Sequence, residues 1–313
     1  MGVVRSVVGL TSISMEAADL AVGVLVGGFA LAGIEDVRRR EVTDRLWQIM
    51  GLIGWLAGAV VVAPGGLVPV ALWLLVGAVT LEHLIGWDLW VGEWGEAHAD
   101  QIEIVGYLVG ILIVAGAAVR FGIGSSGVPW SVIAVLSIVI FARILFELRV
   151  LYGAADAKAL MIAALLVPVF PMPWLLSPGR DISTLAYLPF PISLLTNAAL
   201  FSLAVPIGLA VRNLKRGEFS VPEGFVGYSL PVRELGSRFV WVKDPSVPEE
   251  GVDEAETSDD DDRHRAELAK RLEARGIGRV WVSPQIPLVA VMALGAVAAL
   301  LAGNVLLDLM LRL

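Results

Sequence analysis

The chain contains no cysteine, and it has fewer charged residues than a water-soluble domain of its length. Without cysteine there can be no disulfide, no thiolate metal site and no cysteine nucleophile. Charged residues make up 17% of the 313 positions and hydrophobic residues 57%, whereas soluble domains average about 25% and roughly 45–50%. So little polar surface cannot cover so much apolar surface, and the composition therefore indicates an integral membrane protein.

Eight apolar segments are candidates for crossing a bilayer. A spanning helix needs about 20 mostly apolar residues, and the candidates lie at about 18–34, 46–63, 67–85, 102–119, 129–148, 158–177, 191–211 and 286–312. Pro168, Pro171 and Pro173 fall inside the sixth and are expected to bend or shorten it. The pattern predicts an all-α polytopic membrane protein with about eight transmembrane helices. Residues 1–17 read as an N-terminal tail rather than a signal peptide, with Met15 as an alternative start.

A long polar stretch, 212–282, separates the seventh candidate helix from the last one. Its runs "GFVGYSLPV", "SRFVWVKD" and "GRVWVSP" favour β-strands, and "RHRAELAKRLEARG" favours a helix that ends at Gly276. The acidic linker 246–262 is expected to be solvated and disordered. The chain thus divides into a core of about seven transmembrane helices (18–211), a small cytoplasmic α+β insert (212–282) and a C-terminal transmembrane helix (283–313).

Lysine and arginine predict which side of the membrane each connection faces. Basic residues in short loops mark the cytoplasmic side. They follow the first, fifth and seventh candidate helices, at Arg38, Arg39, Arg40 and Arg45, at Arg149, and at Arg212, Lys215 and Arg216. With eight helices these positions all fall on one side, which is predicted to be the cytoplasm. The acidic loop 86–100 falls on the same side but has no basic residue, so it gives no support.

Two aspartates, Asp36 and Asp156, lie where helices meet the predicted cytoplasmic face. Asp36 follows the first helix and Asp156 begins the sixth. Two carboxylates close together in a partly dry site share a proton, so that one can activate water while the other donates to a carbonyl oxygen, as in aspartic proteases. Two alternatives stay open on spacing alone. Asp36 could be an interfacial charge paired with arginine, and Asp156 a helix-start acid beside a snorkelling Lys158.

The stretches "YGAADAKALMIAALLVP" and "GIEDVRRREVTDRLW" resemble the two catalytic motifs of the type IV prepilin peptidase family. The resemblance is to its archaeal branch, the preflagellin (prearchaellin) peptidases, and the Gly-x-Gly-Asp pattern is shared in outline with presenilin-type proteases. Here Gly153, Ala154 and Ala155 precede Asp156, with alanine in place of the second glycine. The resemblance implies that Asp36 and Asp156 are the catalytic aspartates.

The resemblance extends to the penultimate helix, "LPFPISLLTNAALFSLAVPIGLAVRNLKRGEF", and to the insert and last helix, "FVGYSLPV" and "GRVWVSPQIPLVAVMALG". It does not cover about 50–125, where the chain carries an additional helix pair compared with the smallest archaeal members. It implies a multi-pass endopeptidase of the cell membrane that removes the short basic leader from archaellin or type IV pilin-like precursors near the cytoplasmic face. No cofactor is implied. Bacterial relatives often carry a zinc-binding cysteine domain and methylate the new N-terminus. This chain has no cysteine and no such domain, so the resemblance implies peptidase activity without N-methyltransferase activity.

Residues near Asp156 have predicted supporting roles. Small residues at Gly153, Ala154 and Ala155 would leave room for an extended peptide. Lys158 either stabilises an aspartate or contacts phospholipid, and the second interpretation is preferred. Membrane lipid is therefore an expected partner, and nucleic acid is not.

Other features leave the function open. The loop 86–100 either attracts a basic leader or is an ordinary interfacial loop. His83 and His98 have no convincing metal-ligand spacing, so no metal site is expected. Two competing functions stand beside the peptidase. One is a transporter or channel whose acids bind a proton or cation; the other is a protease like the signal-peptide peptidases, acting on other membrane substrates.

Overall fold

The structure is a computed structural model that describes residues 2–85, 88–151, 153–170, 188–243 and 258–312. Side chains are described in these ranges except at 2–12, 83–103, 258–262, 264 and 312. The chain divides into two compact units. The first comprises Met1–Ile34, Val42–Ala198 and Val289–Leu313, and the second comprises Glu35–Glu41 and Ala199–Leu288.

The described chain is mostly helical, with one small sheet. Its helices are α1 (Gly2–Arg39), α2 (Asp44–Val62), α3 (Leu67–Ile85), α4 (Asp88–Phe121), α5 (Trp130–Glu147), α6 (Ala154–Leu166), α7 (Phe190–Ser202), α8 (Ala204–Arg216), α9 (Glu223–Val226), α10 (Ser258–Ala274), α11 (Leu288–Ala302) and α12 (Val305–Arg312). Its strands are β1 (Tyr228–Pro231), β2 (Val240–Val242) and β3 (Arg279–Pro284).

Several helices are long and apolar enough to make this a membrane protein. Within the described ranges there are five such segments: Ile13–Arg39, Asp44–Gly65, Ile104–Phe121, Trp130–Glu147 and Phe190–Arg216. The pair α11 and α12, bent by 49°, makes a sixth if it is counted as one span. The two other predicted spans correspond to the shorter apolar helix Leu67–Glu82 and to α6, so the count of eight stays a prediction.

Helix α6 lies at the centre of the first unit. Ala157 and all residues from Ala159 to Leu166 are buried, and α6 packs against α2, α3 and α5. Its 13 residues span about 20 Å at 1.5 Å per residue, less than the roughly 30 Å of a hydrocarbon core. The helix ends before Pro168, as a proline two residues past the last turn favours. Residues 171–177 of the predicted sixth span lie outside the described residues.

Helices α2 and α3 form a hairpin joined by a tight turn in which Gly66 has a φ of +102°. Two tryptophans cross-link them. The Trp73 indole N–H donates to the carbonyl oxygen of Trp55 at 2.8 Å, and the Trp55 indole N–H donates to that of Leu74 at 3.2 Å. Gly58 faces the Trp73 ring and Gly77 the Trp55 ring, so each ring occupies the space that a side chain would need.

The second unit contains an antiparallel sheet with strand order β1-β3-β2. Each of the three β-favouring runs contains one of its strands. Leu230, Val280 and Val282 of the sheet are buried together with Leu235 and with Leu272 of α10. The prediction that this helix ends at Gly276 is confirmed, because Gly276 has a φ of +74° and follows the last turn of α10.

Three expectations about local structure were wrong. The predicted loop 86–100 is helical from Asp88, because α4 runs without a break to Phe121 through a stretch that has no proline and contains several Glu and Ala residues. Residues 2–17 continue α1 rather than forming a separate tail. The last part of the acidic linker, from Ser258, opens α10, where aspartates suit the positive end of the helix dipole. Residues 86–87 and 246–257 lie outside the described residues.

Candidate active site

Asp36 lies in the last turn of α1 and belongs to the second unit. It is only 7% exposed, unusual for an aspartate. Arg40 follows with a left-handed φ of 60°, and its backbone N–H donates to the Asp36 carbonyl oxygen at 3.0 Å. The Arg40 guanidinium donates to the same oxygen at 3.3 Å. The chain therefore ends α1 by folding Arg40 back over Asp36.

The aromatic ring of Phe239 holds this helix end within the second unit. The Arg40 guanidinium carbon lies 5.1 Å from the ring centroid and that of Arg265 lies 5.7 Å from it, both within cation–π range. Burial lowers the pKa of Arg40, while the nearby Asp36 carboxylate acts to raise it. Arg40 stays protonated near neutral pH, so Asp36 has a positive charge beside it. This nearby charge supports the alternative interpretation, in which Asp36 is an interfacial acid paired with arginine.

Asp156 is the third residue of α6, and its carboxylate accepts a hydrogen bond from the backbone of the residue that precedes the helix. The backbone N–H of Gly153 donates to Asp156 Oδ2 at 3.2 Å, and the N–H of Asp156 donates to the Gly153 carbonyl oxygen at 3.0 Å. This is a favourable position for a carboxylate, because helix starts expose free N–H groups. The side chain is half-buried, at the polar start of a helix that is otherwise almost wholly buried and apolar.

The absence of a side chain at Gly153 leaves space for this carboxylate. A Cβ atom at Gly153 would lie 3.1 Å from Asp156 Oδ2 and 3.5 Å from its carboxyl carbon. Of the two alanines that follow, Ala154 is exposed and Ala155 half-buried. The start of α6 therefore has no bulky side chain next to Asp156 at these three positions.

Lys158 contacts a carboxylate that the sequence analysis did not single out. Its Nζ lies 2.5 Å from Oδ1 of Asp44, the first residue of α2. Lys158 thus contacts an aspartate, which is Asp44, and its predicted contact with phospholipid stays a prediction. One signal could have found it: Asp44 is an acid at the start of the second helix, on the side of the membrane where Lys158 needs a counter-charge.

Asp36 and Asp156 belong to different compact units, so their pairing stays a prediction. Within the first unit, the structure brings Asp44 and Lys158 together at the starts of α2 and α6. The side chains of His83, His98 and the acids of 86–100 lie outside those described. Among the described side chains, no cluster of three His, Asp or Glu residues could hold a metal ion.

A cavity of about 570 Å³ lies at the other end of α6. Its lining is mainly apolar and includes Trp73, Leu165 and Phe170, with Asp19 and Ser131 among the few polar residues. Neither Asp36 nor Asp156 lines it, so it does not provide a binding pocket for the predicted chemistry.

Comparison with known proteins found no matching protein-family model. No curated protein matches the sequence either. The resemblance to the prepilin peptidases therefore rests on sequence stretches alone: the two motifs around Asp36 and Asp156, the penultimate helix, the insert and the last helix.

Proposed function

We propose that this membrane protein is an aspartic endopeptidase that removes the short basic leader from archaellin or type IV pilin-like precursors. Asp36 and Asp156 are its proposed catalytic residues. The observation that carries the proposal is the placement of Asp156. A half-buried carboxylate sits at the start of a short, apolar, buried helix, within the stretch that resembles the family's second motif, and Gly153 leaves it room.

The proposed reaction needs no cofactor. One aspartate, ionised, takes a proton from a water molecule as that water attacks the carbonyl carbon of the scissile bond. The other, protonated, donates to the carbonyl oxygen, which gives a diol intermediate. As the C–N bond breaks, the leaving nitrogen takes the proton that the first aspartate holds, and the second aspartate regains its proton from the diol. The burial of Asp36 supports this use, because a partly dry site strengthens the interactions with the developing charge.

The substrate's layout fits the proposed location of the chemistry. Precursors of this kind have a basic leader at the cytoplasmic surface and an apolar helix in the bilayer, so the bond to be cut lies near the cytoplasmic face. Asp36 lies in the last turn of α1 beside Arg38 and Arg39, which favour the cytoplasmic side. We expect the protein in the cell membrane with its active site near that face.

The test is incubation of the purified full-length protein with a precursor whose basic leader ends in glycine, read by the mass of the product. Asp36→Asn and Asp156→Asn keep the side-chain shape but cannot exchange the proton, so each should slow cleavage by roughly 10²-fold or more. Glu35→Gln and Asp19→Asn are matched controls that remove an acid elsewhere on α1 and should cleave normally.

Full cleavage by either asparagine variant would contradict the proposed roles of these aspartates. Cleavage of apolar peptides that lack a basic leader would instead indicate a protease like the signal-peptide peptidases.

A transporter or channel is the second candidate, and the bend between α11 and α12 favours it. Broken helices often form ion or substrate sites in transporters. At this break the buried Asn197 side chain donates to the Gly303 carbonyl oxygen at 2.9 Å and accepts from the Val305 N–H at 3.0 Å. Ion flux in liposomes carrying the purified protein, without proteolysis of the precursor, would favour this function over the peptidase.

A further inference from the structure

The 217–227 loop follows α8, contains the single-turn helix α9, and exposes large apolar side chains. Val221 is 73% exposed, Val226 57% and Phe225 41%. This loop belongs to the second unit, whose own apolar core lies elsewhere, between the sheet and α10. Large apolar side chains that are exposed together in one short segment often mark a contact surface.

The position of the loop is fixed by the last turns of α8. The backbone reverses direction at Gly217, whose φ is +69°, and the N–H of Glu218 donates to the Asn213 carbonyl oxygen at 3.0 Å. The buried side-chain amide of Asn213 then donates to the carbonyl oxygens of Gly224 and Gly227, at 2.9 and 2.7 Å. These two hydrogen bonds lie on either side of Phe225 and Val226 in the sequence. They hold both residues beside Asn213, which precedes the end of α8.

Contacts between its own side chains also stabilise the loop. The Phe219 and Phe225 rings pack edge to face with their centroids 5.3 Å apart. Phe219 also lies against Gly224, which has no side chain in its way. From the sheet, the Ser283 hydroxyl donates to the Val226 carbonyl oxygen at 2.7 Å. The exposed side chains are thus presented by a fixed loop.

The level of Asn213 corresponds to the membrane surface. The helical segment Phe190–Arg216 has 27 residues, or about 40 Å at 1.5 Å per residue, which exceeds a hydrocarbon core of about 30 Å. Its basic last turns, with Arg212, Lys215 and Arg216, therefore lie among the lipid headgroups, where such residues attract anionic lipid at about 1 kcal/mol each. The Arg212 guanidinium stacks on Tyr228 at 3.7 Å, while Lys215 and Arg216 are exposed.

We propose that the 217–227 loop is a membrane-surface anchor: Val221, Phe225 and Val226 enter the headgroup region, and Lys215 and Arg216 bind anionic lipid. The loop carries two acids, Glu218 and Glu223. Glu218 lies 3.7 Å from the guanidinium of Arg279, which offsets its charge. The anchor fixes the insert to the bilayer whatever reaction the protein catalyses.

The absence of cysteine makes a direct test possible, because one introduced thiol is the only one in the chain. Val226→Cys carries an environment-sensitive fluorophore in the full-length protein, reconstituted into phosphatidylcholine vesicles with or without phosphatidylglycerol. The matched control is Ala274→Cys, an exposed site at the end of α10. Quenching is measured with lipids that carry a nitroxide near the headgroup.

The fluorophore at position 226 should emit at shorter wavelength and be quenched severalfold more than the one at 274. Phosphatidylglycerol should increase that quenching, and Lys215→Gln with Arg216→Gln should remove the increase. Equal quenching at 226 and 274 would overturn the anchor. Quenching at 226 that is strong but the same in both lipids, and unaffected by the two glutamines, would overturn the binding of anionic lipid.

Discussion

The ammonium of Lys158 lies 2.5 Å from the carboxylate of Asp44, which comes 114 residues earlier in the chain. The contact joins the first turn of α2 to the first turns of α6, two residues after Asp156. The side chains are 21% and 63% exposed, so water screens the pair and its direct contribution to stability is small, about 1 kcal/mol or less. We expect the pair to act by positioning the start of α6.

A double-mutant cycle with Lys158→Met and Asp44→Asn separates these effects. We expect unfolding free energies to change by less than about 1 kcal/mol. If the pair positions Asp156, precursor cleavage should fall severalfold in each single variant, and the double variant should be no worse than either, because both remove the same contact. The measurements are initial cleavage rates and unfolding in detergent. Additive losses would show that the two residues act separately.

Gly153→Ala tests the space beside the Asp156 carboxylate. The backbone at Gly153, with φ −99° and ψ 136°, is open to alanine, so stability should change by less than about 1 kcal/mol. The new Cβ would stand 3.1 Å from Asp156 Oδ2 and push the carboxylate aside by a few tenths of an ångström, slowing cleavage severalfold. Gly106→Ala, where nothing lies within 4 Å, is the control. Wild-type rates in Gly153→Ala would show that the carboxylate tolerates the shift.

Gly58→Ala should loosen the hairpin of α2 and α3. Its Cβ would overlap the Trp73 ring, and overpacking of this kind costs about 1–3 kcal/mol. The measurement is reversible unfolding in mixed micelles. Gly116→Ala, which meets nothing within 4 Å, should be neutral or slightly stabilising. Adding Trp73→Phe to Gly58→Ala should recover part of the loss, and no recovery would mean that the ring is not what the alanine meets.

Asn197→Ala should destabilise the last helical segment. It removes the partner of two backbone groups at the break, the buried Gly303 carbonyl and the part-buried Val305 N–H. Leaving the buried carbonyl unpaired costs about 1–3 kcal/mol. The neighbouring Thr196→Val is the control, because Thr196 bonds only within its own helix, to the Ile192 carbonyl oxygen at 2.7 Å. Equal thermal stability of the two variants would contradict a structural role for Asn197.

Features set by local sequence could be predicted well. The long apolar helices follow from composition, the strands from β-branched and aromatic runs, and the end of α10 from Gly276, whose φ of +74° suits glycine. Each depends on a few neighbouring residues, which a sequence displays directly.

Features set by tertiary contacts could not be predicted in the same way. Nothing local to Lys158 indicates that its partner is Asp44, since the pair forms only when α2 packs against α6. The charges in 86–100 suggested a loop, yet helix propensity continues α4 through them. The contact between Arg40 and the ring of Phe239, beside the buried Asp36, likewise joins residues that lie far apart in the chain.

The burial of α6 on all sides limits which amino-acid substitutions this helix can accept. A helix at the edge of the bundle can exchange one apolar side chain for another on its lipid-facing side at little cost. From Ala159 to Leu166 every position is buried, so a change in volume must be accommodated by neighbouring helices. In a saturation-mutagenesis library selected for folded protein, α6 should therefore tolerate the fewest substitutions, and the outward face of α4, with Leu108 and Leu112 exposed, should accept many.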